Sequence, residues 1–149
     1  MPGLEATVLD LPAVEPVVAE RHPELAFVAG DLDRSCFGRP AGERWDAVLL
    51  ANVLHDHPAD RARAIVATAA GLLAPGGTLL VYEWVAGADG DGPATVALFD
   101  LMMLVENEGG AAWPAATLSG WLRAAGLTGI KLRRGAGPIA VLRGTAPGP

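Results

Sequence analysis

Two runs in this chain, WDAVLLANV at 45–53 and TLLVYEWV at 78–85, are almost continuously apolar. A strand that alternates apolar with polar residues has one wet face, whereas an unbroken apolar run fits a strand covered on both faces. Between the runs, a helix over 60–73 places Ala62, Ile65, Val66, Ala69, Leu72 and Leu73 on one side, and Pro75-Gly76-Gly77 stops it. Strand, amphipathic helix, strand is the building unit of a parallel sheet, so the middle of the chain predicts a doubly wound α/β arrangement.

The flanking sequence extends the alternation. Residues 6–9 read as a strand ending at Asp10, and 12–21 as a helix opened by Pro12, with Pro16 late enough to shorten or kink it. A strand at 25–29 ends in Gly30-Asp31, and a Gly/Pro loop at 36–43 carries Cys36, read as a loop thiol. Residues 94–105 are apolar almost all round, which predicts a buried helix. A helix at 114–125 stops at Gly126, and strands at 130–133 and 139–142 flank a Gly-Ala-Gly-Pro turn. The expected fold class is α/β: a doubly wound, mostly parallel sheet with a C-terminal antiparallel hairpin. It occupies one domain, 1–144, followed by a disordered tail at 145–149.

Composition excludes several classes of partner. A net charge of −6 without a basic run argues against nucleic acid. No stretch reaches the roughly 18 consecutive apolar residues of a membrane span, and Glu5, Asp10, Glu15 and Glu20 interrupt the start where a signal peptide is apolar. The expectation is a cytoplasmic protein with no membrane partner. One cysteine allows no internal disulfide and makes no metal site alone.

In an open parallel sheet, ligands bind beyond the carboxyl ends of the strands. Those ends here carry Asp10, Asp31, the segment 52–56 and Glu83. Each acid alone is explained by the polarity of loops; the four ends together mark a candidate site.

The segments LDLP, GDL, LLANVLHDHPADRARAIVATAAGLLAPGGTLLVYE, FDLMMLVENEGG and WLRAAGL resemble, in order and spacing, the catalytic domain of class I S-adenosylmethionine-dependent small-molecule O-methyltransferases. These are the plant phenolic and bacterial polyketide tailoring enzymes, and the likeness runs from 7 to 142. It implies a Rossmann-like sheet, S-adenosyl-L-methionine as cofactor with S-adenosyl-L-homocysteine as product, and a small hydroxylated aromatic or polyketide-type acceptor. The His of the HD element is the family's general base, so the resemblance gives that role to His55, with Glu83 orienting it. The chemistry agrees: a neutral imidazole with a pKa near ~6.5 accepts a hydroxyl proton at neutral pH, and a carboxylate on the other ring nitrogen fixes its tautomer. His57 stands where the family usually has Trp, and reads as a surface or adenine-flanking residue.

The resemblance further implies that Asp10 grips the ribose diol with Leu11 beside it, that Asp31 and Leu32 border the adenine, and that Asn52 lies near the sulfonium end. Plant members carry a lysine where this chain has Ala51. Asp56, Asp100, Met103 and Asn107 would line the acceptor pocket, the last three at helical spacings of three and four. Core packing explains Met102 and Met103 equally well.

Two departures stand out. The family has a second acid just after the Gly-Gly at the end of that helix, whereas this chain reads Gly109-Gly110-Ala111-Ala112. Glu106 or Glu108 would replace it only with a rearranged loop. The family's N-terminal helical domain and its first strand with a Gly-x-Gly-x-Gly loop have no counterpart in the sequence, and that strand is central in the family's sheet. We therefore expect open edges on the strands at 6–9 and 45–53, filled by a partner chain supplying the strand, the glycine-rich loop and the helical domain. Three readings remain open: a catalytic fragment; a subunit of a split enzyme, methylating or running other chemistry; or a non-catalytic binding or scaffold module.

Overall fold

The computed structural model describes residues 3–32, 44–87, 94–134 and 137–149. Cys36 and the loop at 36–43, most of the loop at 86–93, and two residues of the hairpin turn lie outside them. The chain forms two compact units, Met1–Glu43 and Arg44–Pro149.

In the first unit, strand β1 (Thr7–Asp10) pairs in parallel with β2 (Ala26–Ala29), Thr7 opposite Ala26 and Asp10 opposite Ala29. The helix expected at 12–21 is divided into a 3-10 turn, Pro12–Val14, and helix α1, Glu15–Arg21. Pro16 explains the break. Proline has no amide to give and is tolerated only in a first turn, so the chain starts a second helix around it.

The second unit holds a four-stranded sheet in the order β3 (Trp45–Ala51), β4 (Leu73–Trp84), β6 (Ile139–Thr145), β5 (Thr128–Arg134). β3 and β4 are parallel, while β6 runs antiparallel to both β4 and β5. The expected parallel pair and closing hairpin are both present. β4 begins earlier than expected, at Leu73 rather than 78, because the helix ends at Gly71 and Trp45 pairs with Leu73. Gly77 makes this early pairing possible: a Cβ there would lie 2.8 Å from the Ala74 carbonyl and 3.0 Å from that of Trp45. The expected tail at 145–149 is tied down as far as Pro147. Ala146 donates its amide to the Gly77 carbonyl at 2.8 Å, and Gly76 donates to the Pro147 carbonyl at 3.0 Å.

Helix α2 (Ala59–Gly71) buries Ala62, Ile65, Val66 and Ala69, the stripe its 3.6-residue period predicts. With Leu118 and Leu122 of α4 (Ala115–Ala124), these side chains join the buried Leu79, Val81 and Leu142 of the sheet in the core. Each fully buried aliphatic side chain contributes roughly 1.5–3 kcal/mol. Helix α3 (Ala94–Glu106) departs from expectation. Only Val96, Phe99 and Met103 are buried, while Leu98, Leu101, Leu104 and Val105 are more than half exposed. Its composition fits a helix enclosed on several sides, and a single side is enclosed here.

Among the described residues, β1 pairs only with β2 and β3 only with β4. The second edge of each strand is without a strand partner, and on β3 Leu49 is 60% exposed.

Candidate active site

The parallel strand β3 ends at Ala51, and the next residue turns the chain sharply. Asn52 has φ +53°, the left-handed region that asparagine enters more readily than other residues with a β-carbon. Its amide still donates to the Tyr82 carbonyl at 2.9 Å. The turn leads into a short 3-10 segment, Leu54–Asp56, in which Leu54 and His55 are buried.

Glu83 holds this segment from the neighbouring strand. Its side chain is 1% exposed, and a buried carboxylate is costly unless its oxygens are satisfied. Oε1 accepts the Val53 amide at 2.8 Å and the Leu54 amide at 2.7 Å, while Oε2 lies 2.6 Å from His55 Nδ1. The carboxylate thus caps the amides at the start of the turn and fixes the ring in the same act. It places the hydrogen on Nδ1 and leaves Nε2 as the site for a proton to arrive.

Aromatic packing sets the plane of the imidazole. Phe99 of α3 meets it edge-on, with centroids 4.9 Å apart and planes at 88°, and Phe99 itself stacks on Trp84 at 4.4 Å. Burial alone pulls the His55 pKa down. The hydrogen bond and charge of Glu83, with the charge of Asp56, outweigh burial and hold it above the usual 6.5.

The segment after α3 closes over the turn. Ala111 donates its amide to the His55 carbonyl and Trp113 Nε1 donates to the Leu54 carbonyl, both at 2.9 Å. Gly110 permits this approach: a Cβ there would lie 2.6 Å from the His55 carbonyl oxygen. Asp100 accepts the Ala112 amide at 2.7 Å, and Asn107 Nδ2 donates to Asp56 Oδ1 at 2.9 Å. Met103 is 3% exposed and packs with Ala86, Val96, Phe99 and Ala112.

The structure therefore brings together His55, Glu83, Asp56, Met103 and Asn107, with Asp100 bracing the segment behind them. Glu106 and Glu108 are exposed, and the carboxylate beside His55 Nε2 belongs to Asp56, at 3.5 Å. His57 is half-buried after the turn. Sequence alone assigns no role to Phe99 or Trp113 and none to Gly110 beyond its place in the Gly-Gly element; the signal for Trp113 is its position three residues after that element. In the first unit, Asp10 is the exposed last residue of β1, and its Oδ1 accepts the amide of Leu11 at 2.7 Å. Gly30 donates to the Asp10 carbonyl at 2.9 Å, which puts Asp31 and Leu32 beyond the adjacent strand end. Among the described residues no group of three metal-ligating side chains converges, and no helix is long and apolar enough to cross a membrane.

Known proteins share this architecture. The chain is 36% identical over 142 residues to the 3-hydroxy-5-methyl-1-naphthoate 3-O-methyltransferase of Streptomyces sahachiroi, which covers 93% of this chain and 41% of the relative. An O-methyltransferase family protein from Burkholderia thailandensis superposes with a TM-score of 0.82 at 30% identity, over 99% of this chain and 45% of that one. A structure described as PigF with SAH superposes at 0.84 with 25% identity, over 96% of this chain and 44% of that one. The chain thus spans about two fifths of the length of the relatives it matches. The O-methyltransferase domain family matches residues 1–128, most of the chain and every element that builds the site up to α4, and the chain belongs to that family.

Proposed function

We propose that this chain is the catalytic portion of an S-adenosylmethionine-dependent O-methyltransferase acting on a hydroxyl of a small aromatic or polyketide-type metabolite, with His55 as general base. The observation that carries the reading is the His55–Glu83 pair: a buried carboxylate 2.6 Å from Nδ1 leaves Nε2 to accept the hydroxyl proton. A general base contributes typically 10²–10⁴-fold to such a step. The naphthoate relative supports an aromatic hydroxyl as acceptor.

When bound, the cofactor would supply an electrophilic methyl group, its sulfonium sulfur keeping the electron pair of the broken bond as a neutral thioether. The residues present fit part of it. Asp10 uses one oxygen on its own Leu11 amide and stands exposed at a strand end, where a carboxylate can take a ribose diol through charge-assisted hydrogen bonds. Leu11, Asp31 and Leu32 would border the nucleoside, and Asn52 the sulfonium end. Asp56 and Asn107 offer polar groups to the acceptor, while Asp100 and Met103 support the same wall from behind.

In this reading a further segment, on the same polypeptide or on a partner chain, completes the enzyme. It supplies a strand to the open edge of β3 beside Leu49, the glycine-rich loop that follows that strand, and helices over the exposed side of α3. One observation favours a second reading, a binding module without methyl transfer: the alanines at 111 and 112 stand where the family has its second acid.

The test is transfer of a radiolabelled methyl group from S-adenosylmethionine to a panel of hydroxylated aromatics, using the chain isolated from its native host with whatever polypeptide accompanies it. Transfer that His55→Gln abolishes supports the proposal. Transfer that survives His55→Gln overturns the base. Cofactor binding without transfer to any hydroxyl favours the binding module.

A further inference from the structure

His55 has a carboxylate at each ring nitrogen. Glu83 stands at Nδ1, and on the other side Nε2 lies 3.5 Å from Asp56 Oδ1. The Asp56 side chain is 46% exposed, and a carboxylate on a short surface turn ordinarily points into water. This one is turned toward the ring and held there. Asn107, 51 residues away at the end of α3, donates Nδ2 to the same oxygen at 2.9 Å. The Asn107 backbone amide donates to the Met103 carbonyl at 2.9 Å, and its side-chain amide contacts Met103 Sδ at 3.5 Å. Gly110 lets the two segments approach, since a Cβ there would meet both the His55 carbonyl and, at 2.9 Å, the Asn107 Cβ.

We propose that Asp56, held by Asn107, is the second carboxylate partner of His55 and receives the imidazolium through its Nε2–H bond. The inference rests on His55 being the base. With the hydrogen on Nδ1, neutral His55 turns the Nε2 lone pair toward a carboxylate oxygen, an approach with no proton between acceptors. When the acceptor's O–H bond breaks and an N–H bond forms at Nε2, that unfavourable approach becomes an ion pair. The positive charge then lies between Glu83 and Asp56, and the exposed side of Asp56 gives the proton a route to water after turnover. The groups facing the ring are Glu83 from β4, Asp56 from its own turn and the uncharged edge of Phe99 from α3. In this contact Asp56 acts through His55 and does the work of the acid missing after Gly110.

The experiment is an NMR titration of the His55 ring in the full chain. Asp56→Asn, which keeps shape and removes charge, should lower the midpoint by about 0.5–1 pH unit, a partly screened ion pair. The exchanged pair, Asp56→Asn with Asn107→Asp, keeps a hydrogen bond between the two positions but moves the charge off Nε2. It should restore the thermal midpoint while returning less than half of the lost titration shift. An unmoved titration in Asp56→Asn, or full recovery of both readings in the exchanged pair, overturns the proposal. Methyl transfer that survives His55→Gln would remove the base reading, whereas the Asp56 contact is judged by the titration alone.

Discussion

Glu83 Oε2 lies 2.6 Å from His55 Nδ1 while the other oxygen of the same carboxylate accepts the amides of Val53 and Leu54. One buried side chain therefore fixes both the backbone that presents the histidine and the tautomer the histidine adopts. Its replacement separates the proposed chemistry from simple folding.

Glu83→Gln keeps an oxygen for the two amides but turns an NH₂ group toward Nδ1, driving the hydrogen to Nε2 and blocking the base. Turnover should fall by roughly 10²-fold or more. The wild-type imidazole has a pKa above 6.5, so the rate should rise with pH along a limb centred above that value. In Glu83→Gln the His55 titration should move to lower pH. The same raised pKa makes the His55 contribution to stability fully present below about pH 6.5 and lost as pH rises through the folded-state value. Thermal melts across pH 5.5 to 9 check the sign, and a contribution that grows with pH would contradict it.

His55→Gln should lower turnover by roughly 10²-fold or more with little change in cofactor affinity, while His57→Ala does much less. Single-turnover kinetics with equal losses at both positions would remove the distinction between them.

Asp10→Ala should weaken S-adenosylmethionine and S-adenosylhomocysteine alike, by roughly ten- to hundredfold, the scale of hydrogen bonds to a charged group. Calorimetry on a complex that binds both ligands measures it. Unchanged affinities would place the ribose on other residues.

Gly110→Ala should damage the site without touching a polar group. The added methyl would sit 2.6 Å from the His55 carbonyl oxygen and 2.9 Å from the Asn107 Cβ, so the turn or the segment after α3 must move. We expect a loss of about 1–3 kcal/mol, the range for overpacking. Denaturant titration gives the first reading and a shifted His55 ring resonance the second; a variant as stable as wild type would show that the contact yields cheaply.

Much of this arrangement was legible in the sequence because it is local or periodic. The stripe of Ala62, Ile65, Val66 and Ala69 follows from a period of 3.6, and the run-helix-run order predicts the parallel pair β3 and β4, although β3, expected to be covered on both faces, buries only Leu50. The acid at position 83 was visible as the polar residue in an apolar strand. What escaped depends on contacts between residues far apart in the chain. Nothing near residue 73 announces that it pairs with Trp45, since that needs Gly77 to pass close to two carbonyls. Nothing near Trp113 shows that its indole reaches Leu54. The exposure of Leu101 and Leu104 reversed the expectation of a buried helix, because composition reports what a face is suited to touch and not what touches it in this chain.

The last residues of the chain work as a clasp on the beginning of β4. Ala146 and Pro147 hold the Gly76-Gly77 bend through two backbone hydrogen bonds, and that bend is where Trp45 and Leu73 first meet. Trimming the chain at 144 would therefore loosen the parallel pair at the end opposite His55, away from the chemistry. An affinity tag fused directly after Pro147 would pull on the same bend, whereas one carried on a flexible linker beyond Pro149 leaves the clasp shut.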